Sequence, residues 1–393
     1  MVDYTPFSQS AIEDPHSLYR QLRGEAPVYY LEEYDAWALA CFEDVWQASM
    51  DAESYSAAGG SSGDQLLSKT MPAVPMLNAM DPPSHTRLRA LIRPFFMPKR
   101  LRELEPAIRK LIDEHMDALA EAERLDAVSH VGEILAGQVA CLVSGFPLED
   151  VDPLVGWIRR YFERDPESRG ITPDGLAAFG EMVGYLAGMA RERRARGNGE
   201  GDPLDALLGF KEEGKALDDD AIALHLALLV LGGFETFPKV FAAALHRLFE
   251  HPDQRARLVA DPSRIPHAWQ EVLRYDMPTQ FLGRTVAREV QVRDQTLRPG
   301  QPVIFLYASA NRDDAEFDNP DVFDIERRAP RILSFGHGQH SCLGQHVALM
   351  EGQLSLAALL ARFPDYELDL ADAERYQSEF IQGFSRLPLQ VRA

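Results

Sequence analysis

Apolar positions along this chain switch between two periods, and the switches divide it into regions. Asp14 to Arg23 reads as a short helix, followed by strand-like runs at Val28–Leu31 and Ala36–Cys41 and a helical pattern at Phe42–Met50. Ala57–Pro83 then loses periodicity, being rich in Gly, Ser and Pro yet carrying Leu66, Leu67, Met71, Val74, Met76 and Leu77. A loop of that length is usually functional or disordered, and its embedded apolar residues predict that it folds over an apolar surface. From Ser84 to Glu250 three- and four-residue spacings dominate, predicting helices near Leu101–Ala120, Ser129–Val143, Asp174–Arg194 and Asp218–Glu250. Breaker clusters such as Asp150-Val-Asp-Pro, Arg169-Gly and Gly197-Asn-Gly-Glu-Gly separate them. A helix over Ser263–Tyr275 precedes strand-like runs at Arg284–Arg288, Val290–Arg293 and Pro302–Leu306, with Arg298-Pro-Gly as a turn. Asn311–Ser334 reads as a polar meander anchored by Phe317, Phe323 and Ile325. Leu343, Val347, Met350, Leu354 and Ala358 then mark one face of a last long helix. The expectation is a single domain over 1–393, mainly α at 84–276 and 343–363. A smaller β region is expected near 27–41, 284–306 and 366–393.

Composition narrows the partners. With 393 residues, 46% hydrophobic and 26% charged, the chain can build a core that encloses a cofactor. Its formal charge of −21 argues against nucleic acid and anionic membrane surfaces. Cys41, Cys141 and Cys342 form no Cys-x-x-Cys, which argues against a zinc ribbon, a thioredoxin motif or a c-type haem attachment. A reducing compartment fits three scattered thiols. The start, Met1-Val-Asp-Tyr-Thr-Pro-Phe, lacks a signal-peptide pattern, and the apolar run Ala221–Leu231 is interrupted by His225. A cytoplasmic, unanchored monomer is expected.

Chemistry concentrates in a few stretches. Phe335-Gly-His-Gly-Gln-His-Ser-Cys-Leu-Gly places Cys342 just before a predicted helix, where free N–H groups favour a thiolate. Gly336 and Gly338 free the loop backbone, and Gly344 lets a flat object approach the first helical turn. On its own such a stretch more often marks a buried structural cysteine. The predicted helix Asp218–Glu250 is weakened in its middle by Gly232, Gly233 and Pro238, which bracket Glu235 and Thr236. That reads as a functional break offering a carboxylate and a hydroxyl for proton relay, or as a plain kink. His85 and Arg89 share a helix face, and with Arg284 and His340 they could supply cations to a buried dianion such as the two propionates of haem. Glu271 and Arg274, flanked by Trp269, Val272 and Leu273, form a helical pair whose neighbours suggest burial.

These stretches, in this order, resemble the cytochrome P450 monooxygenases of the soluble bacterial kind, over essentially the whole chain. The Phe335–Gly344 loop resembles the family's cysteine-ligand loop, and Gly232-Gly-Phe-Glu-Thr its oxygen-activating motif. Glu271-Val-Leu-Arg274 resembles its Glu-x-x-Arg, with Arg327 as third member of that ion triad, and His85-x-x-x-Arg89 its propionate-binding segment. Phe237-Pro238 departs from the pattern, since many relatives carry a small or polar residue after the threonine. The resemblance implies the cytochrome P450 fold, with a long central helix over haem b and the cysteine loop beneath it. Cys342 would be the iron ligand, shielded by Phe335, and Thr236 and Glu235 would steer protons to bound O2. Electrons would come from NAD(P)H through a reductase and a ferredoxin, for which Arg93, Lys99, Arg100 and Arg102 form a candidate docking cluster. The substrate would be a hydrophobic small molecule lying against parts of Ala57–Asn78, Leu228, Leu231, Gly232, Gln280, Phe281, Leu282 and Gln382–Phe384. A peroxide-driven peroxygenase and a non-catalytic haem-binding sensor are the alternatives.

Overall fold

Asp14 starts the first long helix, its carboxylate accepting from Ser17 N–H while Pro15 fills the first helical position, where a missing N–H costs nothing. This helix, α1 (Pro15–Glu25), leads into a hairpin of β1 (Val28–Leu31) and β2 (Ala36–Leu39), turned through Asp35 at a φ of 45°. The structure, a computed structural model, describes residues 2–119, 122, 124–165, 169–197, 199, 201–212 and 214–391. Ala120, Asn198, Glu200, Arg392 and Ala393, which fall in stretches read above, lie outside them.

After α2 (Phe42–Met50) comes β3 (Tyr55–Ser56), and then the aperiodic stretch 57–83. That stretch holds a short helix, Gly63–Leu66, closed by a Ser62/Gln65 capping box, and a turn at Leu77–Ala79. Its Leu66, Leu67, Met71, Met76 and Leu77 are all buried, so the loop does fold onto an apolar surface.

The helical body follows as α3 (Ser84–Ile92), α4 (Pro98–Leu119), α5 (Glu133–Ser144), α6 (Val151–Phe162) and α7 (Pro173–Arg196). Helix α6 corrects the sequence reading, which took Asp150-Val-Asp-Pro for a breaker. Pro153 sits in the first turn, where it is tolerated, and Val151, Leu154, Val155, Ile158, Tyr161 and Phe162 bury one face. The long helix expected over Asp218–Glu250 is two helices, α8 (Asp219–Phe234) and α9 (Thr236–Glu250), parted at Glu235. Asp218 caps α8 by accepting from Ala221 N–H at 2.8 Å. Ala127–Ser144 and Asp219–Glu250 are long and apolar enough to cross a membrane by composition, but most of each is buried against the rest of the chain.

Helix α10 (Ile265–Tyr275) precedes β4 (Leu282–Val286) and β5 (Pro302–Phe305), which complete a five-stranded sheet ordered β1-β2-β5-β4-β3. Only the β2–β5 pairing is parallel. The last long helix, α11 (Gln345–Arg362), crosses α10 so closely that any Cβ at Gly352 would collide with the Trp269 indole. Its expected apolar face is mostly half-buried, whereas Gly352, Ser355, Leu356, Leu359 and Leu360 are buried outright, so α11 is packed on more than one side. The sequence reading also passed over the short helices Gln9–Glu13, Pro203–Gly209 and Pro252–Ala260.

Candidate functional site

The loop before α11 is held by its glycines. Gly336 and Gly338 take φ values of 64° and 73°, and Gly338 lies hard against the Ser49 carbonyl. Cys342 N–H closes the loop on Phe335 O at 2.7 Å, and the His337 ring stacks on Trp46 at 3.5 Å. Cys342 is exposed, yet protein crowds it closely enough that burial raises its thiol above the ordinary value. The Gly344 N–H and the Arg89 guanidinium pull the other way without prevailing. Helix α11 begins at Gln345, so the cysteine precedes its first turn. Such a thiol gives up its proton when a metal takes its place.

Gly232 is exposed at the α8–α9 break, and a Cβ there would meet nothing within 4 Å. Thr236 Oγ1 donates to the Gly232 carbonyl at 3.2 Å, taking up an acceptor that the break releases. Gly233 instead faces α5, where a Cβ would lie 3.0 Å from Ala140 Cβ. Pro238 stands in the first turn of α9 and packs on Gly132, so it costs α9 no hydrogen bond. Glu235 is 3% exposed, and its Oε1 lies 3.4 Å from Lys239 Nζ without a directed hydrogen bond. Burial pushes its carboxyl up to about 7, with Lys239 opposing the rise. Lys239, absent from the sequence reading, follows Glu235 at the i,i+4 helical spacing that could have signalled it.

The four basic residues converge beside the cysteine loop. His85 and His340 stack at 4.1 Å, Arg89 Nη2 donates to Ser341 O at 2.5 Å, and Arg284 Nη1 donates to Gly283 O at 2.6 Å. Among the described residues neither guanidinium has a carboxylate within ion-pair distance, although Arg284 is only 7% exposed. Both ring nitrogens of buried His85 lack a partner. Burial and the neighbouring positive charges lower its pKa to about 4 and that of His340 to about 2. Two guanidiniums without a carboxylate partner, beside neutral imidazoles of which His85 has both ring nitrogens unpartnered, make a site for an anion. A dianionic cofactor ligated through Cys342 would fit these residues, which would take its two anionic groups.

Glu271, Arg274 and Arg327 come together as one network. Arg274 grips Glu271 with two bonds of 2.7 Å and donates to the Asn311 and Pro320 carbonyls at 2.9 Å. Arg327 reaches Glu271 Oε1 at 3.1 Å and ties the carbonyls of Asp318, Asn319 and Val322. The pair thus holds residues 311–327, the irregular segment leading to the cysteine loop.

The residues named for a substrate pocket divide. Leu228, Leu231 and Leu282 are half-buried at the edges of the core clusters. Phe281 is fully buried with Leu66 and Leu67, and Phe384 packs against the His246 ring at 5.0 Å. Gln280 is occupied by the Tyr19 hydroxyl and Gln382. Arg164, between α6 and α7, lies 3.5 Å from both Asp64 and Glu379, all three side chains being at most 5% exposed. Sequence reasoning also missed Glu351 on α11, buried with Oε1 unpartnered and its carboxyl held well above the ordinary range by burial. No sequence pattern announces such a group.

Comparison with known proteins gives consistent matches. The sequence model of the family described as Cytochrome P450 matches residues 265–389. The putative cytochrome P450 123 of Mycobacterium tuberculosis is 38% identical over 391 residues, covering 99% of this chain and 96% of that protein. The vitamin D(3) 25-hydroxylase of Pseudonocardia autotrophica is 33% identical, covering 98% and 96%. The crystal structure of CalO2 superposes with a TM-score of 0.87 at 27% identity, over 100% of this chain and 99% of the other.

Proposed function

Because the chain belongs to the cytochrome P450 family of haem monooxygenases, we propose that it inserts one oxygen atom of O2 into a C–H bond of a hydrophobic small molecule. The observation that carries this reading is the cluster of His85, Arg89, Arg284 and His340 beside Cys342, in which, among the described residues, two guanidiniums lack a carboxylate and both His85 ring nitrogens lack a partner. Cys342 Sγ would bind the iron, and the four basic side chains would take the two propionates. Bound haem supplies oxygen activation and the oxidation of the C–H bond. The chain supplies orientation and protons. Thr236 Oγ1 would pass a proton toward the open space at Gly232, and the Glu235 carboxyl would replenish it. Leu228, Leu231 and Leu282, with the apolar residues of 57–83, would exclude water from the substrate.

Electrons would arrive from a ferredoxin served by an NAD(P)H-dependent reductase, in the cytoplasm. Arg93, just after α3, and Lys99 and Arg102, at the start of α4, are exposed, whereas Arg100 is engaged by Glu103 at 3.1 Å. Charge reversal of Lys99 and Arg102 should therefore slow reduction most at low salt.

Thr236→Ala tests the proton role. Product formed per electron consumed should fall with O2 and a surrogate ferredoxin system, while peroxide-driven turnover persists. Equal losses in both assays would contradict it, and a native protein active only with peroxide would favour a peroxygenase. The carbon monoxide difference spectrum, with its thiolate-specific red-shifted band, should vanish in Cys342→Ala.

A further inference from the structure

Lys239 is an unusual residue for the middle of an apolar helix. It is 2% exposed on α9, surrounded by buried Phe237, Val240 and Phe241, and still carries its ammonium into the interior. Each partner of that ammonium can be named. Nζ is 3.4 Å from Glu235 Oε1 on the same helix and 4.4 Å from the centre of the Tyr376 ring. Lys239 also lines a cavity of about 10 Å³ with His246, Arg247, Asp276, Arg375 and Gly383, room for one water. Gly383 makes space for the stem: its φ is 142°, and a Cβ there would come within 3.0 Å of Lys239 Cβ.

The pair is a poor device for stability. Two buried charges lose their hydration, and well-packed apolar residues of similar size usually do as well or better. Its effect falls instead on Glu235. The other charged or titratable groups acting on that carboxyl are Glu133 at the start of α5, which disfavours its ionised form, and the Tyr376 hydroxyl. Lys239 is the cation among them. Because it stands on the same helix, its grip does not depend on how the loops over the site are arranged.

We propose that Lys239 is a positioning residue that keeps Glu235, the neighbour of Thr236, available as an anion between proton transfers. This rests on the proton-delivery reading above and deepens it. Desolvation lifts the carboxyl to about 7 against the pull of Lys239, so without the ammonium Glu235 would stay protonated at neutral pH.

Infrared difference titration of the resting holoenzyme tests this without turnover. The Glu235 carboxyl band is assigned by its loss in Glu235→Gln. In Lys239→Met, which keeps the packed stem, its midpoint should rise by about one to three pH units. Lys239→Arg should leave it near the native value. An unshifted midpoint in folded Lys239→Met overturns the proposal. Should that variant fail to fold, the native protein decides: a Glu235 band still protonated at about pH 9 leaves no anion to hold. Failure of the underlying reading looks different. Glu235→Gln would then leave product per electron unchanged, whatever the band does in the Lys239 variants.

Discussion

Replacing Arg284 by methionine should push the apoprotein and the haem-loaded protein in opposite directions. The guanidinium is 7% exposed, makes one hydrogen bond, to its neighbour's carbonyl, and has no carboxylate at ion-pair distance among the described residues. Burial already pulls its pKa below the usual arginine value. Methionine is of comparable length and needs no counter-ion, so in the apoprotein the change should be neutral to stabilising, by up to about 4 kcal/mol. With haem bound the same change strands a propionate. Truncating one partner of a buried, hydrogen-bonded charge pair costs about 2–5 kcal/mol. At roughly 1.4 kcal/mol per tenfold, that corresponds to haem loss faster by a factor between about 30 and several thousand. Urea unfolding of the apoprotein and capture of haem by excess apomyoglobin measure the two limbs. If the apoprotein loses as much stability as the loaded form, Arg284 is a packing element and the propionate assignment is wrong.

Other substitutions probe the remaining parts. Gly232→Ala should stabilise by about 0.8–1.0 kcal/mol through helix propensity, since its methyl meets open space. Gly233→Ala should give that gain back or more to overlap with Ala140, and thermal melts showing equal effects would refute the division. Glu271→Ala leaves Arg274, whose side chain is fully buried, unpaired, and should cost about 3–5 kcal/mol in urea, whereas a charge-free Glu271→Leu/Arg274→Met double variant should lose less. In the apoprotein His85 titrates at about 4 against an ordinary 6.5, so the unfolded chain takes the proton first. Stability should therefore fall as pH drops from 6.5 towards 4, and His85→Phe should flatten that fall.

What the sequence made legible was local in origin. Two glycines, an acid, a threonine and a proline within seven residues weaken a helix wherever it sits, and the chain does part at Glu235. Likewise the i,i+3 spacing of Glu271 and Arg274 all but guarantees that they meet. The errors arose where tertiary context decides. Pro153 breaks a helix or opens one depending on which residue begins it. Phe281 and Phe384 are as apolar as any pocket wall, and only packing shows that neighbours consume them. Lys239 was missed for a different reason: a lysine at i,i+4 from a glutamate ordinarily faces water, and the spacing marks the pair without marking its burial.

The contact at Arg164 bears on anyone who would recombine this protein with its relatives. One guanidinium joins the stretch 57–83, through Asp64, to the connection between α6 and α7 and to the C-terminal stretch, through Glu379. These segments are far apart in the chain, and a crossover between any two of them separates charges that have no access to water. A chimera exchanging only the stretch around Asp64 would leave Arg164 short of an acid, and one exchanging only the arginine would leave two acids facing each other. The natural unit of exchange is therefore the trio, and libraries that shuffle the segments singly should be depleted of folded members wherever the donor lacks the matching charge.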